Sequence, residues 1–82
     1  MPPKLKRLSG DDLLRIFKQF GFVFHTQKGS HVKLRRFSVT QEKQTLTIPM
    51  HRELDTGTLR AILRQASRYI EESQLVPHFY SE

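Results

Sequence analysis

The fold of this chain is decided by residues 22–50, which read FVFHTQKGSHVKLRRFSVTQEKQTLTIPM. β-Branched and aromatic residues recur in this stretch, and polar turn-like residues interrupt it at 27–29 and again at 38–43. Such segments separated by turn residues are typical of β-strands joined in hairpins. The stretch therefore predicts three consecutive antiparallel strands at 22–26, 31–37 and 44–50.

The turns suggest a register for these strands, because a hairpin loop fixes which residues face each other. A three-residue loop at 27–29, with its glycine in the left-handed conformation, pairs Phe24 with Val32. A loop centred on Gln41 pairs Val32 with Met50. Both pairings place apolar residues on one face of the sheet, where helices can cover them.

The same register gives the sheet an open face that is basic and rich in histidine. The side chains that it places there are those of His25, His31, Lys33, Arg35, Thr45, Thr47 and His51. Within this set, His31 lies opposite His25 and near His51. Three histidines are also compatible with a metal site, although no thiolate or pair of carboxylates accompanies them.

Helical patterns lie on both sides of the strands. Before them, Ser9 is followed by two aspartates and by apolar residues at helical spacing up to Gly21, as in a capped amphipathic helix. After them, Asp55 precedes a second apolar helical pattern that reaches Ile70. The element order is therefore αβββα, an α+β fold in which both helices cover one face of a three-stranded antiparallel sheet.

Length and composition narrow the class of protein further. The 82 residues have room for one small domain, 1–82, in which residues 71–82 are either the extended end of the second helix or a tail. The absence of cysteine excludes disulfides and thiolate zinc sites. No apolar run reaches the roughly 20 residues that span a bilayer, and the first residues lack the apolar centre of a signal peptide. We therefore expect a soluble, cytoplasmic protein.

The charge is concentrated in the first half of the chain. Residues 1–36 carry nine basic and two acidic side chains, a net of +7, whereas residues 37–82 carry five and six, a net of −1. A basic half is typical of a surface that binds nucleic acid, with simple solubility as the alternative. Histidine can act as acid or base near neutral pH, and basic side chains can bind phosphate, so RNA cleavage and noncatalytic RNA binding both fit the open face.

Four segments of the sequence resemble the HicA family of toxins, in the family's order and near its spacing. They are Gly21-Phe22, KGSH at 28–31, TIPMH at 47–51 and GTLRAILRQA at 57–66. The resemblance covers residues 11–66 and implies a double-stranded-RNA-binding-like αβββα fold. It also implies an mRNA interferase, an endoribonuclease that cleaves mRNA without a metal cofactor and is neutralised by a HicB-type antitoxin. The alternative is a noncatalytic RNA-binding module of the same fold.

The resemblance assigns the catalytic role, as general acid or base, to His31 in the Gly-Ser-His motif. His51 in the Pro-x-His motif is a candidate second acid or base, or else an outward histidine that orients a loop, and His25 is interpreted as a surface residue. The residues that we expect to contact RNA are Lys28, Gly29, Ser30, Lys33, Arg35 and Arg36. Of these, Gly29 is expected mainly to provide the positive φ that the turn needs. Arg36 falls on the core side of the sheet in the alternation of β3.

Overall fold

The computed structural model describes residues 3–81, and within them the αβββα order predicted from the sequence is confirmed. The helices are α1 (Gly10–Lys18), α2 (Thr56–Ala66) and α3 (Glu72–Phe79), and the strands are β1 (Lys4–Leu5), β2 (Val23–Lys28), β3 (His31–Phe37), β4 (Lys43–Pro49) and β5 (Tyr80–Ser81). Strands β2, β3 and β4 form an antiparallel sheet in that order, while β1 pairs with β5 in a separate two-stranded sheet. No helix in this part of the chain is long and apolar enough to cross a membrane.

The N-terminal caps predicted for α1 and α2 are present. At the start of α1, Ser9 and Asp12 form a capping box, in which each side chain accepts a hydrogen bond from the other residue's backbone N–H. The bond from the Ser9 N–H, assisted by the Ser9 side chain and by Arg15, lowers the pKa of the Asp12 carboxyl from its ordinary value of 3.8. At the start of α2, the Asp55 side chain accepts from the Thr58 N–H at 2.6 Å. These caps fix where each helix begins.

One face of the sheet is buried against the helices, as the apolar alternation predicts. The sheet contributes Val32, Leu34, Leu46 and Ile48, each at most 3% exposed. The buried residues of α1 and α2 that complete this core are Leu13, Ile16, Phe17, Leu59, Ile62, Leu63 and Ala66. The opposite face carries none of the helices formed by residues 3–81 and is left for solvent or a ligand.

The C-terminal segment differs from both forms that the sequence suggested for residues 71–82. Helix α2 ends at Ala66, and residues 72–79 form a separate helix instead of an extension or a tail. The cause is apolar burial: Leu75 and Phe79 of α3 are fully buried, and the Phe79 ring lies 6.1 Å from that of Phe17. Residue 82 lies outside the described residues.

The register predicted for the first hairpin is wrong. Lys28 pairs with His31 across a two-residue turn, so β2 runs two residues further than predicted. Gly29 does adopt the left-handed conformation, with φ +58°, but as the first residue of that shorter turn. Two-residue turns with glycine in this position match the twist of a hairpin, which is the physical reason for the shorter loop.

A bulge at His25 follows from this register. Phe24 pairs with Leu34, and the pairing shifts by one residue before Thr26 pairs with Lys33. His25 is the extra residue between them and has no partner on β3. The expectation that His25 lies opposite His31 is therefore wrong.

The second hairpin is offset by two residues from the predicted register. Val32 pairs with Ile48 instead of Met50, because the loop is centred on Thr40, with the Ser38 N–H donating to the Glu42 carbonyl at 2.9 Å. An offset of two residues leaves every side chain on its predicted face. Lys33 and Arg35 accordingly share the open face with Thr47 and Thr45, their partners on β4.

The two edges of the sheet differ in how they are covered. On β4, the outward N–H of Thr47 donates to the side-chain oxygen of Gln65 on α2 at 2.8 Å. On β2, all six residues are exposed. The uncovered parts of the sheet are thus its open face and the β2 edge.

Candidate functional site

His31 is the first residue of β3 and follows the β2–β3 turn directly. It pairs with Lys28 on one side and with Pro49 on the other, which places its exposed imidazole on the open face between two strands. Together with Thr26, Lys28 and Lys33 it lines a depression of about 460 Å³. The structure therefore brings one histidine and two lysines to a single accessible site.

The turn that precedes His31 is fixed at both of its residues. The Gln27 side chain donates to the Gly29 carbonyl at 3.1 Å, and the backbone N–H of Met50 donates to the Ser30 carbonyl at 2.6 Å. No atom of the described residues lies within 4 Å of the position that a Cβ at Gly29 would take, so this glycine is favoured by its φ of +58° and not by crowding. The open space beside the turn leaves its backbone accessible to a ligand.

His51 lies at the same end of the sheet as His31. The hydrogen bond from Met50 to Ser30 continues the β3–β4 pairing beyond Pro49 and brings the Pro-x-His motif beside the Gly-Ser-His turn. The Thr58 N–H, with the Thr58 side chain, lowers the pKa of the Asp55 carboxyl, and the charge of His51 acts in the same direction. His51 thus follows the residue bonded to the Ser30 turn and lies four residues before Asp55, the N-cap of α2.

Gly10 holds the Pro-x-His segment in place, a role that the sequence analysis missed. Its N–H donates to the His51 carbonyl at 2.9 Å. A Cβ at residue 10 would lie 2.6 Å from the Pro49 carbonyl oxygen and 2.8 Å from the Met50 Cα, both backbone atoms. Only glycine lets α1 begin this close to the end of β4. The available signal was a glycine in the first turn of a helix, where it is a poor helix former.

Two of the expected RNA contacts continue the site along β3. Lys33 is exposed and Arg35 is half-buried, and both lie on the face that carries His31. The Nε of Arg35 is buried without a hydrogen-bond partner among the described residues. The open face therefore presents an imidazole followed by two cationic side chains at alternate positions of one strand.

Arg36 is separate from this row, because its half-buried side chain is held on the helix side of the sheet. Its guanidinium donates to the Phe20 carbonyl at 2.7 Å, to the Tyr69 carbonyl at 2.8 Å and to the side chain of Gln44. The same group lies 4.7 Å from the centre of the Phe22 ring. Side chains alternate between the two faces along β3, so Arg36 lies on the face opposite that of Arg35. The structure therefore does not bring Arg36 to the face where we expected it to contact RNA.

His25 lies in the bulge of β2 and lines a different depression, together with Phe37. Within residues 3–81, no group of three or more His, Asp or Glu side chains is arranged to hold a metal ion. The three histidines at 25, 31 and 51 therefore do not form the metal site that the sequence left open.

A small αβββα protein with a histidine and a basic row on its open face has the surface that a polyanion-binding protein needs. The family described as the HicA toxin of bacterial toxin–antitoxin systems matches residues 10–67 of this chain. The chain therefore belongs to the HicA toxin family and is a toxin of a toxin–antitoxin system, whose partner is an antitoxin. Comparisons with curated proteins and with solved structures give no match.

The matched residues begin at Gly10, the glycine in contact with the Pro-x-His segment, and include the whole three-stranded sheet and α2. They end before α3, whose Leu75 and Phe79 are buried in the core.

Proposed function

We propose that this toxin is an mRNA interferase, an endoribonuclease in which His31 acts as general acid or base. The observation that carries the proposal is the position of His31: exposed, at the end of a strand on the open face, in one depression with Lys28 and Lys33. A histidine in such a site can exchange protons near neutral pH, and the lysines can bind a phosphate beside it.

The proposed reaction uses the nucleophile that RNA carries. A base removes the proton from a ribose 2′-hydroxyl, the oxygen attacks the adjacent phosphorus, and the bond to the 5′-oxygen breaks as an acid protonates that oxygen. His31 serves one of these two proton transfers, and His51, beside the same turn, is the candidate for the other. The ammonium groups of Lys28 and Lys33 stabilise the negative charge that grows on the phosphate oxygens. This chemistry calls on no metal cofactor.

The backbone of the turn supports the same proposal. Gly29 and Ser30 carry no bulky side chain, and the turn is held by the hydrogen bonds to Gln27 and Met50. A phosphate can therefore come close to the main chain next to His31 without displacing other groups.

The test is cleavage of a labelled RNA by the purified protein in EDTA. We expect the unaltered protein to cleave and His31→Ala to lose about 100-fold or more in rate, the usual contribution of a general acid or base. His78→Ala is the matched control, because it removes an imidazole of α3 that lies against Phe20 and lines neither the depression around His31 nor the groove beside His25. Cleavage by His31→Ala at the rate of His78→Ala contradicts the proposal, and RNA binding without cleavage by any form supports the noncatalytic module.

We also propose that the partner is a HicB-type antitoxin, which neutralises the toxin by covering the open face. The charge of that face favours a partner with acidic residues, since complementary charges accelerate and orient association. Expression of the chain alone should arrest growth, and co-expression with the product of the adjacent reading frame should relieve the arrest. Arrest that persists in the presence of that product contradicts the assignment of the partner.

A further inference from the structure

A groove lies where β3 extends beyond its neighbour β2. Val23, the first residue of β2, pairs with Arg35, so the last two residues of β3 have no partner on that side. The gap opens a groove of about 700 Å³, which we call the end groove. The lining residues used below are Val23, Phe24, Arg35 and Phe37.

The end groove is apolar and exposed. The side chains of Val23 and Phe24 are each 60% exposed, and that of Phe37 is 55% exposed, in a protein whose other large apolar side chains mostly form the core. A cluster of exposed apolar side chains on a small protein typically marks an interaction site. The volume is also in the range of sites that take a small organic group.

The end groove continues the row of side chains that begins at the proposed active site. Phe37 has the same parity in β3 as His31, Lys33 and Arg35, so all four lie on the open face. Phe37 lies six positions after His31 along the extended strand, a distance of about 20 Å. The open face thus presents an imidazole, two cations and an aromatic ring in line. This combination is typical of surfaces that bind single-stranded nucleic acid, where cations follow the backbone and bases stack on aromatic rings.

We infer that the end groove takes an unpaired base of the RNA substrate, stacked on the ring of Phe37, while Lys33 and Arg35 bind the phosphates between that base and His31. The inference rests on the proposed function and adds the class of substrate, a single-stranded segment long enough to follow β3. RNA is favoured over a protein as occupant because a row of cationic side chains, Lys33 and Arg35, leads from His31 to the groove.

The experiment measures binding without cleavage, in a His31→Ala background, by the anisotropy of a labelled RNA. Three probes are compared: a single strand of about eight nucleotides, a trinucleotide and a duplex of the longer sequence. We expect Phe37→Ala to weaken binding of the longer strand about tenfold, the effect of one lost base stack. Binding of the trinucleotide and of the duplex should change by less than about twofold, since neither offers an unpaired base at that distance.

Two further substitutions at the same position separate stacking from apolar contact. Phe37→Tyr keeps the ring and should bind the longer strand as the His31→Ala parent does. Phe37→Leu keeps apolar bulk without a ring and should be as weak as Phe37→Ala. Equal binding by Phe37→Ala and the parent overturns the inference and leaves the groove to a protein partner, and full binding by Phe37→Leu overturns the stacking.

Failure of this inference is distinguishable from failure of the proposed function. Cleavage of the longer strand is measured separately with His31 intact. If the unaltered protein cleaves the RNA but substitutions of Phe37 do not change RNA binding, only the inference about the end groove is refuted. Binding that depends on Phe37, without cleavage by the unaltered protein, refutes only the endoribonuclease.

Discussion

Replacing Arg36 with alanine is expected to destabilise the protein strongly, although the residue belongs to a basic stretch that the sequence assigns to RNA. The guanidinium donates to the carbonyls of Phe20 and Tyr69 and so joins β3 to the residues that follow α1 and α2. It also donates to Gln44 on β4 and lies over the Phe22 ring. Its removal leaves two backbone carbonyls without this donor.

The magnitude follows from these contacts. A hydrogen bond from a charged donor contributes about 1.5–3 kcal/mol, and a partly buried cation–π contact about 1 kcal/mol. These contributions are not additive, and water can reach part of a half-buried site, so we expect a loss of about 3 kcal/mol in the free energy of unfolding. For a protein that unfolds with a urea m-value of about 1–2 kcal/mol/M, the midpoint should fall by about 2 M.

The assay is urea unfolding followed by circular dichroism, with Arg35→Ala as the matched control. Arg35 is the neighbouring arginine, also half-buried, and its Nε has no hydrogen-bond partner among the described residues. Its removal should cost less than about 1 kcal/mol. The reasoning is refuted if the free energies of unfolding of Arg36→Ala and Arg35→Ala differ by less than about 1 kcal/mol.

Three other predictions follow from the packing and the caps. Gly10→Ala should lower the free energy of unfolding by about 2 kcal/mol or more and slow RNA cleavage, because its Cβ would meet the backbone of Pro49 and Met50. The control Gly57→Ala, whose Cβ would make only a 3.6 Å contact with Asp55, should be neutral or slightly stabilising. Urea unfolding and the cleavage assay measure both variants. Phe79→Ala should cost about 3–5 kcal/mol and lower the midpoint of the whole transition, and a change confined to a minor early phase would show that α3 is not part of the cooperative core. The pKa values of Asp12 and Asp55 are lowered in the folded protein, so the unfolded state binds more protons in acid. The stability that these two carboxylates contribute is therefore present above about pH 4 and is lost as the pH falls through their folded-state pKa values. Asp12→Asn should reduce the loss of stability between about pH 5 and pH 2, measured by urea unfolding at each pH, and an unchanged pH dependence would contradict this role of the cap.

The faces of the sheet could be predicted from sequence, but the pairing along it could not. Alternation in β3 and β4 assigns Lys33 and Arg35 to the open face, and an error of two residues in the second hairpin leaves that assignment intact. The first hairpin depended on choosing between a two-residue and a three-residue loop around Gly29, and sequence permits both. The bulge at His25 has no clear local signal, so the separation of His25 from His31 required the structure.

Helix α3 was missed for a different reason. Its N-cap, Glu71, makes no side-chain capping bond, and Pro77 lies inside the helix, where proline is usually a breaker. The signal that remained was the spacing of Leu75 and Phe79, four residues apart, which is too short a pattern to predict a helix alone. Tertiary burial of these two side chains stabilises a helix that local propensity does not favour.

The candidate site also contains features that the sequence predicts and features that only the structure reveals. His31 could be located because a turn glycine and strand parity together fix the residue that begins β3. The role of Gly10 could not, because it depends on contact with Pro49 and Met50, which are distant in sequence. The end groove likewise depends on where β2 begins relative to β3, and so on the register that the sequence left undetermined.

The proposal that His31 transfers a proton during RNA cleavage is tested most directly by chemical rescue. Cleavage of a labelled RNA by His31→Ala in EDTA is measured with increasing concentrations of imidazole, beside Lys33→Ala as a variant that retains the histidine. We expect His31→Ala to be nearly inactive alone and to regain activity in proportion to added imidazole, while the residual activity of Lys33→Ala does not respond. Undiminished cleavage by His31→Ala in the absence of imidazole would contradict the central claim.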